Sequence, residues 1–204
     1  MPKVLDIDLY AGNISTAITQ VLTSEETTCK CISATGAHGL VTAKRDLKFK
    51  EILNSFYLNL PDGMPGVWVG RNKGYQQMKR CYGPDFFKEF MLKSADHHFK
   101  HFLCGGSEGV AENLKWVCET KFLNQNVVGT YCPPFLKVEE YDYPAIADRI
   151  NESGADVVWI GLSTPKQECF GFYLSKYLNS KFVICVGAAF YFNIWNVRQA
   201  PSWI

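Results

Sequence analysis

Residues 155–179 read ADVVWIGLSTPKQECFGFYLSKYLN, and the stretch changes character at its middle. In ADVVWIGLS (155–163), Val157 to Ile160 run without a polar break, as expected of a strand covered on both faces. PKQECFGFYLSKYLN (165–179) reads as a helix, with Pro165 suited to its first turn. KFVICVGAAF (181–190) follows as another apolar strand. Doubly covered strands separated by helices point to a parallel sheet with helices on both sides.

The same rhythm extends toward the N-terminus. CKCISAT (29–35) reads as a strand, followed by a helical stretch over 36–54. FYLNL (56–60) is a strand ending at PDGMP, and GVWVGR (66–71) opens a short helix. GPDFFKEFMLKSADHH (83–98) reads as a helix begun by Pro84 and Asp85. KHFLCGG (100–106) is a strand and SEGVAENLKWVCETKF (107–122) an amphipathic helix. QNVVGTY (125–131) is a strand, and YDYPAIADRINESG (141–154) a helix ending at Gly154, a glycine of the kind that closes helices. No repeat or linker interrupts the series, so a single domain over 1–204 is expected.

Composition narrows the function. The chain has 204 residues, 47% hydrophobic and 20% charged, with a formal net charge of +1. That balance is globular, and no global basic field suggests nucleic acid. The eight cysteines include no C-x-x-C pair, and several lie in apolar runs. They read as small buried hydrophobes in a reducing compartment, with Cys29 and Cys31 on opposite faces of their strand. The N-terminus lacks a signal-peptide core, and no apolar segment reaches the ~18 residues of a membrane span.

In a parallel sheet, ligands bind beyond the carboxyl ends of the strands. Gly105, Gly106 and Gly109 form either an anion cradle or a tight strand-to-helix turn. Lys166, Gln167 and Glu168 are either phosphate and sugar ligands or ordinary first-turn residues. His97, His98 and His101 read as a solvated helix end rather than a metal site. His38 and Asp62 each follow a strand directly. Asp62 is a helix cap in one reading and a general base in the other.

Taken in order, ATGAHG, LNLPDGMPGVWVGR, YGPDFF, HFLCGGSEGVAENL, VVGTYCPPF, INESGADVVWIGLSTPKQE and VGAAF…RQAPSWI resemble the WecG/TagA/CpsF glycosyltransferases, family 26. The resemblance implies a Rossmann-like α/β domain and an inverting transferase needing neither metal nor cofactor. It implies transfer of an N-acetylhexosamine or hexose from a UDP-sugar to a polyprenyl-diphosphate-linked saccharide. The products would feed teichoic acid or exopolysaccharide synthesis on the inner face of the cytoplasmic membrane. It makes Asp62 the catalytic base. Gly105, Gly106, Lys166, Gln167, Glu168 and Tyr191 fall on the donor side. Thr35, His38 and Arg71 fall on the acceptor or sugar side, and Arg198 near the diphosphate.

The sequence departs from the family pattern at three points. Gly36 stands where some members carry Asn, which fits the exopolysaccharide-type branch. Tyr191 stands where an Asp is usual. The chain stops at QAPSWI, where relatives continue with a basic, membrane-contacting tail, so weak membrane affinity and weak activity are expected. A degenerate, non-catalytic module binding a nucleotide or glycan-lipid is the alternative. An NAD-dependent oxidoreductase ranks below both, for want of a glycine fingerprint. Ile194, Trp195, Trp203 and Ile204 read as a homo-oligomer face, a docking site for the tail, or core.

Overall fold

The computed structural model describes residues 1–194. Arg198, Trp195, Trp203 and Ile204 therefore lie outside the described residues. The chain opens with a hairpin, β1 (Lys3–Val4) and β2 (Ile7–Asp8), then α1 (Ile14–Leu22). Asn13 and Thr16 start α1 as a reciprocal capping box, which satisfies two amide groups of the helix end.

Then follow β3 (Lys30–Thr35), α2 (Ala37–Arg45), α3 (Leu47–Asn54), β4 (Leu58–Pro61), α4 (Met64–Asn72) and α5 (Gly83–Ser94). The second half continues with β5 (His101–Gly105), α6 (Val110–Thr120), β6 (Val127–Tyr131), α7 (Tyr143–Glu152), β7 (Val157–Gly161), α8 (Lys166–Leu174), β8 (Phe182–Cys185) and α9 (Ala189–Asn193).

Strands β3 to β8 form one six-stranded sheet in the order β4-β3-β8-β7-β5-β6, every pair parallel. Side chains alternate between two helical layers, as the two-residue strand period requires. Phe102, Cys104, Val158, Ile160 and Val183 pack with α2, α3, α7 and α8. Leu103, Val157, Trp159, Phe182 and Ile184 pack with α1, α5, α6 and α9. Trp159 centres that second layer, with Phe87 and Phe90 meeting it edge-on at centroid distances of 4.8 and 5.2 Å. Such aromatic pairs add about 0.5–1.5 kcal/mol each beyond their area burial. The described residues thus make one compact Rossmann-like domain.

The layers also place the cleft. The chain leaves β3 and β7 toward the first layer, and leaves β5 and β8 toward the second. Adjacent strands β3 and β8, and likewise β7 and β5, send their loops apart, which opens a crevice at the carboxyl edge.

Several expectations needed correction. The helical stretch 36–54 is two helices, because Asp46 is extended and its carboxylate accepts the Phe49 N–H at 3.1 Å, starting α3. KFVICVGAAF is strand only to Cys185; Gly187, at φ +56°, turns the chain into α9. Cys29, just before β3, and Cys31, on it, pack against the same layer, because positions two apart along an extended chain face the same side. His101 is not solvated. It is fully buried, accepting from Trp159 Nε1 and bonded to Ser94 Oγ at 2.9 Å. Burial pushes its imidazole down to about 3, so it is neutral. Gly154 does follow α7 in the left-handed region, at φ +66°.

Candidate active site

Asp62 follows the last residue of β4, and three contacts fix it. Its N–H donates to the Thr35 carbonyl at 3.2 Å, which ties the end of β4 to the end of β3. Its carbonyl accepts from Arg80 Nε at 2.9 Å, and its Oδ1 accepts the Gly83 N–H at 2.6 Å. Asp62 therefore does not cap α4, whose cap is Gly63 with no side-chain partner; it satisfies the first residue of α5 instead. No hydrogen bond reaches Oδ2 among the described residues. That oxygen lies 3.6 Å from where a Cβ on Gly36 would sit. Burial raises the carboxyl above its ordinary value, against the Gly83 N–H and Arg80, which pull it down.

A cavity of about 210 Å³ opens over this carboxylate, walled by Gly36, His38, Tyr82, Gln167 and Gly187 among others. The segment carrying Arg80 and Tyr82 reaches it because the Cys81 N–H donates to the Pro61 carbonyl at 2.8 Å. The Arg80 guanidinium lies over the Tyr82 ring at 4.4 Å, and Phe192 meets the same ring at 6.1 Å. Sequence reasoning missed Arg80 and Tyr82. The signal lay in RCYGPDFF, whose first residues read as loop rather than as part of a strand-end site.

The cavity continues along the carboxyl edge. Thr164, Gly187 and Ala188 are shared with a hollow of about 460 Å³, which in turn shares Phe135 and Tyr191 with one of about 670 Å³. Lys166 stands in the last of these, its Nζ 4.3 Å from the centre of the exposed Phe135 ring and 5.3 Å from that of Tyr141. Gly106, at φ +76°, forms part of its wall; Gly105 before it, at φ +137°, ends β5 behind that wall, and a Cβ there would come within 2.6 Å of the Gly161 carbonyl oxygen. The Gly106 N–H already donates to that carbonyl at 2.9 Å, and the Ser107 N–H donates to the Tyr191 hydroxyl at 2.8 Å. Among the described residues, the Glu108 and Gly109 amides are the ones left without an acceptor in this loop.

The other expected site residues divide. His38 lines the small cavity. Thr35 is buried beneath it, within 3.4 Å of Asn59 Oδ1. Arg71 is not brought in; its Nε donates to the Met78 carbonyl, bracing the loop after α4. Gln167 is almost wholly buried, yet forms part of the cavity wall. Glu168 is buried under the cavity, bonded to Ser33, Thr164 and Gln167. The described residues contain no group of three or more His, Cys, Asp or Glu placed to hold a metal ion, and no helix long and apolar enough to cross a membrane.

A model of the glycosyl transferase WecG/TagA/CpsF family matches residues 2–204. The chain belongs to this family. Among characterised relatives, it is 28% identical over 163 residues to the N-acetylglucosaminyldiphosphoundecaprenol N-acetyl-beta-D-mannosaminyltransferase of Bacillus subtilis (strain 168). The match covers 79% of this chain and 61% of that relative. Among the described residues, Asp62 is the one carboxylate that lines the small cavity.

Proposed function

We propose that this WecG/TagA/CpsF family domain is an inverting glycosyltransferase. It would move a sugar, an N-acetylhexosamine such as N-acetylmannosamine or a related hexose, from a UDP-sugar to a polyprenyl-diphosphate-linked saccharide. The B. subtilis relative's named reaction supports this substrate class, and the setting would be cell-envelope polymer synthesis at the inner face of the cytoplasmic membrane. The observation that carries the reading is the Asp62 carboxylate, held by Gly83 on one oxygen and open to a sugar-sized cavity on the other.

In the proposed step the acceptor hydroxyl oxygen attacks the anomeric carbon from the face opposite UDP. Its proton passes to Asp62 Oδ2, and the bond from the anomeric carbon to the diphosphate breaks with its electrons on UDP. Asp62 acts ionised, and the Gly83 N–H steadies it as the charge changes. The long groove toward Lys166, Phe135 and Tyr191 suits the nucleotide, with Lys166 as a point charge for phosphate. We take the transfer to need no metal, so that protein donors alone meet the charge on the leaving diphosphate.

The test is transfer from UDP-N-acetylmannosamine to a short-chain prenyl-diphosphate N-acetylglucosamine, with and without EDTA. EDTA-resistant product, absent in Asp62→Asn, supports the reading; UDP binding with no transfer to any prenyl-diphosphate sugar would overturn it. That second result would favour a non-catalytic binding module. One observation speaks for the module: Tyr191 stands in the usual Asp position, with its hydroxyl on the Ser107 amide.

A further inference from the structure

The side chain of Glu168 is 1% exposed in the first turn of α8. One carboxyl oxygen, Oε1, lies 3.0 Å from Ser33 Oγ, 2.9 Å from Thr164 Oγ1 and 3.0 Å from Gln167 Nε2. The other, Oε2, is buried with no hydrogen-bond partner. Those contacts join the end of β3 to the loop after β7. Gln167 extends the chain to a third strand end, because its Oε1 accepts the Gly187 N–H at 2.8 Å in the turn after β8. Gly187 is left-handed and walls the cavity beside Asp62.

A buried carboxylate with one oxygen wholly unmatched is a costly arrangement, because the charge has lost water and gained neither a cation nor a full set of donors. No ion pair reaches Glu168 among the described residues. The titratable groups around it are thiols, Cys185 on β8 and Cys169 next to it on α8, each pushed upward by burial first and by the Glu168 charge second. Burial likewise raises Glu168 itself, against its hydrogen bonds with Gln167, its own amide, Thr164 and Ser33. A neutral acid removes the difficulty. Its proton on Oε1 is donated to the Ser33 or Thr164 hydroxyl, both of which accept as well as donate, and Oε2 becomes an uncharged carbonyl oxygen.

We propose that Glu168 is a positioning residue: its neutral carboxyl fixes Gln167, and through Gln167 the Gly187 turn, without touching either substrate. The proposal rests on the transferase reading only for its consequence in catalysis; the positioning itself is independent of it.

The experiment compares the full chain with Glu168→Gln and Glu168→Ala. At neutral pH, the wild type minus Glu168→Gln infrared difference spectrum is expected to carry the carbonyl band of a protonated carboxyl. Protection of the Gly187 amide from hydrogen exchange should be unchanged within about twofold in Glu168→Gln and reduced at least tenfold in Glu168→Ala, a loss of about 1.4 kcal/mol. Raising the pH should lower that protection in the wild type and leave Glu168→Gln flat. This pair suffices if the alanine variant does not fold. A carboxylate signature at neutral pH, or a glutamine variant without the wild-type pH response removed, would overturn the proposal. So would an alanine variant with Gly187 still protected. UDP affinity measured on the same samples separates the two readings: its absence in the wild type counts against the transferase and leaves the infrared and exchange results decisive for Glu168.

Discussion

The Gly83 N–H donates to Asp62 Oδ1 at 2.6 Å, so the residue that opens α5 also orients the carboxylate at the end of β4. This bond fixes one oxygen and leaves the other to the cavity, a division of labour that a base needs and a simple cap does not. Asp62→Asn keeps an oxygen for Gly83 and removes the base. Transfer is expected to fall by about 10²–10⁴-fold, the usual range for a general base, with UDP affinity unchanged by calorimetry. Retained turnover in Asp62→Asn would end the assignment.

The pH dependence follows from the direction of the Asp62 shift. Its carboxyl is raised, burial being the largest cause. In its proposed role as base it works only when ionised, so kcat/KM should have an acid limb above the ordinary aspartate value of about 3.9. For stability the sign is opposite: a raised carboxyl contributes stability fully present below the unfolded value, lost as pH rises through the folded one. Tm measured from pH 3 upward, roughly the window just below and above that ordinary value, should therefore fall less in Asp62→Asn than in the wild type.

Arg80 acts on the same carboxyl from the solvent side. Its charge lowers Asp62, and its Nε holds the Asp62 carbonyl. Arg80→Ala is expected to move the acid limb of the rate profile upward and to leave UDP affinity within about twofold, a change smaller than one ordinary hydrogen bond supplies. An unshifted limb would mean that solvent screens the guanidinium.

Gly105 tolerates no side chain. Its φ of +137° is a region reserved for glycine, and a Cβ would meet the Gly161 carbonyl oxygen, backbone that cannot swing aside. Gly105→Ala should cost about 3 kcal/mol, read by urea unfolding. Gly109→Ala, at φ +80° with nothing within 4 Å, should cost only the backbone strain, about 1 kcal/mol.

Tyr191→Phe keeps the ring and removes the acceptor from the Ser107 amide. Loss of one such bond, about 1 kcal/mol, should speed Ser107 hydrogen exchange roughly fivefold. No change would mean that the amide is protected by the loop alone.

The strands that carry the sheet were legible because their apolar runs are unbroken. Val157 to Ile160 and Phe182 to Cys185 are fully buried, and no solvated face interrupts them. The short N-terminal hairpin and α1 were not, since two-residue strands leave no period to read. Asp46 hid a helix boundary because one carboxylate in a charged stretch carries no sign of which amide it will meet. At the site, Asp62, His38 and Gln167 were named from strand ends alone and do line the cavity. Arg71 and Arg80 could not be told apart from sequence. Both follow Asp62 closely, and only the Cys81 to Pro61 backbone bond decides which one returns to it.

The position of β8 has a consequence for synthesis of the chain. Among the described residues it is the last strand made, and it lies inside the sheet, between β3 and β7. A ribosome that has released residues up to 181 has produced two half-sheets with no seam, each presenting an inner strand edge open to any other chain. Completion of Phe182 to Cys185 closes both edges at once and brings Gly187 to the Asp62 cavity. A nascent chain halted before residue 182 should therefore bind chaperone and resist solubilisation, whereas one released through α9 should be protease-resistant.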